Sequence, residues 1–259
     1  MLTLNPTGKI VAQCNGGKLH DGKFVSVCDD TSATGFETIA DPQARFEIVP
    51  TVNYIPGKKR KLEPVRDVVF VCGPSGMGKS TVLAAYARKF QRMFKKCPIF
   101  MISRKQDDPA YANVKLCKPI LDETLVDDPI DIQSDDVPAN CLFIFDDYDT
   151  FPDPIQQCIN KLLADILETG RAKNIYCAIS SHLMSKQNRT DNARLYNEMH
   201  RLIVSPRGGN RPALVNVLEN HMGLDKRRIA EILRKDSRWL VFGKQFPQYL
   251  ILDHGMTIL

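Results

Sequence analysis

No two of the eight cysteines form a CxxC pair; they are scattered at positions 14, 28, 72, 97, 117, 141, 158 and 177. That spacing argues against a zinc site and against a disulfide framework. Cys72, Cys141 and Cys177 sit inside apolar runs, where a free thiol behaves as a small hydrophobe, so a reducing compartment is expected. Long apolar runs are missing too. The strongest, VVFVC and CLFIF, have the length of strands and are too short to span a bilayer, so no membrane span is expected. The first residues, MLTLNPTGK, lack the basic and apolar regions of a signal peptide. There is no internal repeat, no low-complexity segment and no guanine reader of the form Asn-Lys-x-Asp. The nearest match, Asn160-Lys161-Leu162-Leu163, ends in leucine on an apolar helix face, which speaks against a regulatory GTPase. A strong excess of either charge is also absent. The net charge of +5 permits a nucleic-acid partner without demanding one.

What is present reads as an enzyme. A chain of 259 residues lies near the upper size of one hydrophobic core, roughly 250–300 residues, so one main domain with a modest appendage is expected. Its 43% hydrophobic and 25% charged residues are ordinary for a globular protein. Residues 1–55 form a β-rich N-terminal segment, with strand signals at 23–27 and 45–49 between Gly, Asp and Pro breakers. Residues 56–65 are basic and punctuated by Pro and Gly, which reads as a linker. The Lys58–Lys61 run within it is a solvated charge cluster, a nuclear import signal or a phosphate contact.

Residues 66–259 are expected to form the main domain. Strands at 68–71, 99–103, 142–145, 175–179 and 202–204 alternate with helices, which implies a parallel sheet covered by helices. Helices are expected at 81–94, 153–170, 192–200, 212–221 and 226–234. For the second of these, Asp153 is read as the cap, Pro154 as the first position and Gly170 as the end. Residues 104–139 are polar, with turns at Asp107-Asp108-Pro109 and Asp127-Asp128-Pro129. Apolar runs at 239–242 and 249–252 close the chain as a pair of strands.

The chemistry starts at Gly73-Pro74-Ser75-Gly76-Met77-Gly78-Lys79-Ser80, a GxxxxGK[ST] loop between an apolar strand and an amphipathic helix. Its glycines let backbone N–H groups face phosphates, and the helix N-terminus adds a favourable dipole. Lys79 reaches the β- and γ-phosphates, Ser80 holds Mg²⁺, and Thr81 donates to the α-phosphate. The ligands expected are therefore ATP and Mg²⁺.

The strand Leu142–Phe145 runs into Asp146 and Asp147. Asp146 is read as the Mg²⁺ carboxylate and Asp147 as the base that polarises the attacking water, with Asp149 as its substitute. The strand at 175–179 runs into Ser180-Ser181-His182. Ser181 and His182 are the candidates for sensing the γ-phosphate. After it come Arg189, Arg194, Arg201, Arg207 and Arg211. Oligomeric ATPases insert an arginine from a neighbouring subunit; Arg194 is the first choice and Arg189 the second.

Taken in order, GPSGMGKST, Ile102-Ser103-Arg104-Lys105 with Asp107-Asp108-Pro109, the IFDD strand end, Ile179-Ser180-Ser181-His182, Ala193-Arg194-Leu195-Tyr196-Asn197-Glu198 and Leu202-Ile203-Val204-Ser205-Pro206 resemble the genome-packaging ATPases of large eukaryotic double-stranded DNA viruses. These form the poxvirus-type branch of the FtsK–HerA superfamily. The resemblance covers residues 66–206 well, the C-terminal segment more loosely, and residues 1–55 not at all. It implies an α/β, RecA-like P-loop fold of the ASCE type: a parallel sheet of order 5-1-4-3-2 flanked by helices, beside the β-rich N-terminal segment and the C-terminal strand pair. It also implies a homo-oligomeric ring that pumps double-stranded DNA into a capsid, with capsid or vertex proteins as partners, in the virion or in the cytoplasm of a host cell. Arg207–Arg211 and Lys226-Arg227-Arg228 are candidate DNA contacts. The alternatives are another DNA translocase or helicase of the HerA type, a nucleotide kinase, and a nucleotide-gated scaffold with little turnover.

Overall fold

Two strand patterns divide the chain. Near its start buried and exposed residues alternate, as in Ala44, Arg45, Phe46 and Glu47, which suits a strand with one face on a core. From residue 68 the central strands Val68–Cys72 (VVFVC), Ile99–Ile102 (IFMI) and Leu142–Phe145 (LFIF) are apolar along their length, which suits a sheet covered on both faces. The structure is a computed structural model describing residues 1–5, 7–18, 20–28, 35–55, 57, 62–105, 107–182, 189–208 and 210–259, with the backbone alone described at 189–192. The Lys58–Lys61 run lies outside the described residues.

The early strands are β1 (Leu2–Thr3), β2 (Gly8–Gly16), β3 (Phe24–Val27), β4 (Thr38–Ala40), β5 (Ala44–Tyr54) and β6 (Leu62–Pro64). All but β4 form an antiparallel sheet of order β1-β3-β2-β5-β6. Then come β7 (Val68–Cys72), α1 (Lys79–Met93), β8 (Ile99–Ile102), α2 (Thr124–Asp127), β9 (Leu142–Phe145), α3 (Ile155–Thr169), β10 (Tyr176–Ser181), α4 (Arg189–Glu198) and β11 (Arg201–Val204). The chain ends with α5 (Arg211–Asn220), α6 (Lys226–Ile232), β12 (Leu240–Gly243), β13 (Tyr249–Leu252) and β14 (Gly255–Ile258). Helix α3 begins at Ile155 with Pro154 at its N-cap and no side-chain cap, so Asp153 is not the cap expected.

The second sheet corrects the expected fold class. A parallel sheet of order 5-1-4-3-2 flanked by helices, with a C-terminal strand pair, is not the architecture found. The sheet is mixed and nine-stranded, in the order β4-β14-β13-β12-β11-β7-β10-β9-β8. The pairs from β11 to β8 are parallel, whereas β12, β13, β14 and β4 continue it antiparallel. The physical reason is the edge. A sheet ending at β11 would leave a row of unpaired N–H and C=O groups, and the C-terminal strands cover it. The last strand, β4, comes from the N-terminal segment.

Side chains alternate across the pleat and so sort into two cores. Val69, Val71, Ile144 and Ala178 share one with Leu83, Tyr86 and Phe90 of α1 and Val11, Cys14 and Val25 of the antiparallel sheet. Phe70, Phe143, Phe145 and Ile179 share the other with Ile159, Leu163 and Ile166 of α3 and Leu214 and Ile229 of α5 and α6. Helix α1 is thus clamped between the two sheets with its N-terminus at the end of β7.

One ion pair crosses the first core. Arg201 is 1% exposed, and its guanidinium lies 2.8 Å from the carboxylate of Asp67, itself fully buried. It also donates to the Val11 carbonyl at 3.1 Å and to the Thr51 hydroxyl, and Tyr86 donates to Asp67 at 2.8 Å. Burial works against the charge on Arg201, but Asp67 and the phenols of Tyr249, Tyr86 and Tyr176 more than offset it and hold the guanidinium above its ordinary range. Removing one partner strands the other charge. Arg201→Met is therefore expected to cost about 3–5 kcal/mol of stability, and the double variant Arg201→Met with Asp67→Leu to recover most of it. Urea unfolding of the two variants checks this; equal losses in both would refute it.

Candidate active site

Between Cys72 and Lys79 the backbone must turn from the end of a strand into the start of a helix. Gly76 and Gly78 do this with φ of 77° and 88°, a region that side chains disfavour and glycine enters freely. A side chain at Gly78 would also crowd a neighbour, since its Cβ would stand 3.3 Å from Arg238 Nη2. Gly78 caps α1 without a side-chain acceptor, and no acid stands in the first turn. The first N–H groups of α1, which have no intrahelical acceptor, are left free of a side-chain cap, an arrangement that with the helix dipole favours an anion. Burial pushes the Cys72 thiol up to about 12, so at the foot of the loop it is a protonated packing group rather than a nucleophile.

Lys79 is buried. Its ammonium lies 3.3 Å from the Pro74 carbonyl, 3.2 Å from His182 Nδ1 and 3.9 Å from Asp147 Oδ1. Asp147 is brought there by its backbone. Its φ of 50° is uncommon for a side-chain-bearing residue and tolerated best by Asp and Asn. Its N–H donates to Ser180 Oγ at 3.0 Å. His182 Nε2 at 3.0 Å and Lys105 Nζ at 3.3 Å complete a ring of basic groups around its carboxylate.

Asp146 points the other way and is buried. One oxygen accepts from Ser180 Oγ at 2.5 Å and the other from the Tyr111 hydroxyl at 3.1 Å. Burial and the adjoining Asp146 raise Tyr111 well above the ordinary phenol range, so it remains a donor. Ser181 donates to Asp149 Oδ2 at 3.3 Å, and its carbonyl accepts the N–H of Gly73 at 3.3 Å, which ties the end of β10 to the start of the phosphate loop.

The structure thus gathers Lys79, Asp147 and His182 into one contact set, with Asp146 and Ser181 held behind and beside it. Arg194 is not among the groups that meet Lys79 and Asp147; it pairs with Glu168 of α3 at 2.6 Å. Arg189 opens α4, and its side chain lies outside the described residues. Arg207 pairs with Asp236, and Lys226 and Arg227 pair with Glu219 and Glu231. Ser180, Tyr111, Lys105 and Arg238 are site residues that reading along the chain missed. For Ser180 there was a signal, a polar residue ending an apolar strand. For Tyr111, inside a polar stretch, there was none.

Among the described residues no helix is long and apolar enough to cross a membrane, and no group of three or more His, Cys, Asp or Glu side chains is arranged to hold a metal alone.

No protein-family model matches the chain. It is similar to "Uncharacterized protein V3" of Sputnik virophage, 28% identical over 264 residues that cover 100% of this chain and 98% of the relative. Looser likenesses exist to solved structures of the genome packaging NTPase B204 from Sulfolobus turreted icosahedral virus 2. The complex with AMPPCP aligns at TM-score 0.48 and 12% identity, over 73% of this chain and 97% of that one. The complex with sulfate aligns at TM-score 0.48 and 13% identity, over 75% and 98%. The strand pairing described above stands independently of these likenesses.

Proposed function

We propose that this chain is an ATPase that drives double-stranded DNA into a viral capsid as a ring of identical copies. The observation that carries the enzymatic part is the meeting of Lys79 with Asp147, 3.9 Å apart, beside the open N-terminus of α1. A strand-end acid and the phosphate-loop lysine come from segments far apart in the chain, and the fold sets them face to face. That is the arrangement phosphoryl transfer needs: donors and a cation for the phosphates, and a carboxylate for the attacking water. The motif order from the phosphate loop to Ser205-Pro206 supports the packaging part. The full-length similarity to a virophage protein supports a viral setting.

The residues present suit Mg²⁺. This ion needs only one or two carboxylates beside substrate phosphates and water. An ionised carboxylate offers about four acceptor sites, so the two hydroxyl donors on Asp146 leave it capacity. Ser80 and Asp146 would hold the ion, which would neutralise charge on the phosphates. Lys79 would then turn from Asp147 to the β- and γ-phosphates, leaving Asp147 to orient water, while Ser181 and His182 register the γ-phosphate. Arg194 serves as the finger for a neighbour, with Arg189 as the substitute. The Glu168 pair does not prevent this, because a partly exposed ion pair is worth only about 0–1 kcal/mol.

DNA would be held through phosphates, by the loop at 207–211 and by Lys226-Arg227-Arg228. The test is phosphate release against each nucleoside triphosphate, with and without double-stranded DNA. DNA-stimulated release is expected, with binding indifferent to sequence and falling with salt at a log–log slope of about −0.9 per phosphate neutralised. Transfer of phosphate to a small acceptor would instead mean a nucleotide kinase. A sequence preference that survives raised salt would mean a site-specific binder.

A further inference from the structure

A cleft of about 450 Å³ runs on from the phosphate loop, between α1, the start of β5 and the strands β12 and β13. Gly78 and Thr81 line it at the loop end, and Arg238, Trp239, Phe46 and Ile251 line it farther along. That is within the roughly 300–1,000 Å³ typical of small-molecule sites, which combine apolar walls with a few placed polar groups.

Trp239 is the chain's one tryptophan. It is half-buried and backed by the core that holds Val241 and Ile251. The segment that bears it is pinned at three points. Ser237 Oγ donates to the Trp239 carbonyl at 2.7 Å, the Asp253 N–H donates to Ser237 Oγ at 2.9 Å, and the Arg238 N–H donates to Asp253 Oδ2 at 2.8 Å. Arg238 extends from it back over the phosphate loop. The position a Cβ would take on Gly78 lies 3.3 Å from Arg238 Nη2 and 3.8 Å from Thr81 Oγ1, so guanidinium, hydroxyl and helix N-terminus converge on one point.

We infer that this cleft is the nucleoside subsite: the base lies against Trp239, and Arg238 with Thr81 holds the phosphate nearest the ribose. The inference rests on the proposed nucleotide-binding reading of the phosphate loop. Continuity decides the occupant. Any nucleoside triphosphate seated on α1 carries its nucleoside within a few ångströms, and the cleft shares Gly78 and Thr81 with that seat. An aromatic face suits any base, because stacking reads the π-surface rather than the edge, and each base stacked on an aromatic is worth about a tenfold to hundredfold in affinity.

Calorimetric titration with ATP and with inorganic tripolyphosphate separates this subsite from the loop. In the wild-type chain ATP should change the emission of Trp239, and tripolyphosphate should bind with little change. Trp239→Leu should weaken ATP about tenfold to hundredfold and leave tripolyphosphate unchanged, while Trp239→Phe keeps most of the ATP affinity. Arg238→Ala, at an exposed position, should weaken ATP more than tripolyphosphate and serves if Trp239→Leu fails to fold. Equal losses for both ligands, or wild-type ATP affinity in Trp239→Leu and Arg238→Ala, would overturn the subsite while the loop reading stands. If neither ligand binds the wild-type chain, the loop reading fails and the subsite with it.

Discussion

Lys79→Ala is expected to remove phosphate release by about 10³-fold or more while leaving the fold intact. The ammonium is the one side-chain cation inside the phosphate loop, and groups that stabilise charge on a transferring phosphoryl are worth about 10²–10⁵ in rate. The structure says why the chain should still fold. Asp147, which loses Lys79 at 3.9 Å, keeps His182 at 3.0 Å and Lys105 at 3.3 Å, so no charge is left alone. Phosphate release and urea unfolding measured together decide the matter. Wild-type turnover in the folded variant would end the phosphate-loop assignment. The same variant tests the ring. Mixed with Arg194→Ala, which the proposed ring expects to be inactive for another reason, it should restore partial activity, because one copy lends a sound loop and the other a sound arginine. If mixtures shown to co-assemble recover nothing, and Arg189→Ala behaves the same way, the finger lies elsewhere or acts within one chain.

Asp147→Asn should still bind ATP and Mg²⁺ and should slow hydrolysis by about 10²–10⁴, the range for losing a general base. Asparagine is the right replacement because the φ of 50° at this position is one it adopts nearly as readily as aspartate, whereas alanine would add a backbone cost to the chemical one. Single-turnover hydrolysis, with nucleotide binding measured alongside, separates the two steps. Asp149→Asn is the comparison. Asp149 holds Ser181 at 3.3 Å, and if its variant is the slower one, Asp149 is the base and Asp147 a positioning group.

The strand–loop–helix setting of residues 73–80 was legible because the pattern is contiguous: the glycines, Lys79 and Ser80 occupy neighbouring positions between β7 and α1. The central strands were legible for a related reason. Val68–Cys72, Leu142–Phe145 and Tyr176–Ser181 are buried throughout, and a short apolar run bounded by polar residues announces a buried strand on its own. Sheet membership carries no such local mark. Thr38–Ala40 looks like any short β segment, yet it pairs with β14 from the opposite end of the chain. The C-terminal strands were readable as strands, but their place beside β11 in the main sheet was not.

The site divides along the same line. That Asp146 and Asp147 end a strand is written in their positions; which of them faces Lys79 is not. The structure decides it through the φ of Asp147 and through hydroxyls from two other segments, Ser180 and Tyr111, that engage Asp146. Arg201 makes the point most sharply. Along the chain it is one of several arginines after β10, and only the approach of Val11, Thr51 and Asp67 turns it into a buried structural cation. Residue type and spacing determine what a segment becomes and what chemistry it carries. Which segments meet depends on contacts between residues far apart in the chain, from Ser180 with Asp146 to Arg201 with Val11, and those exist only once the two sheets have closed on α1.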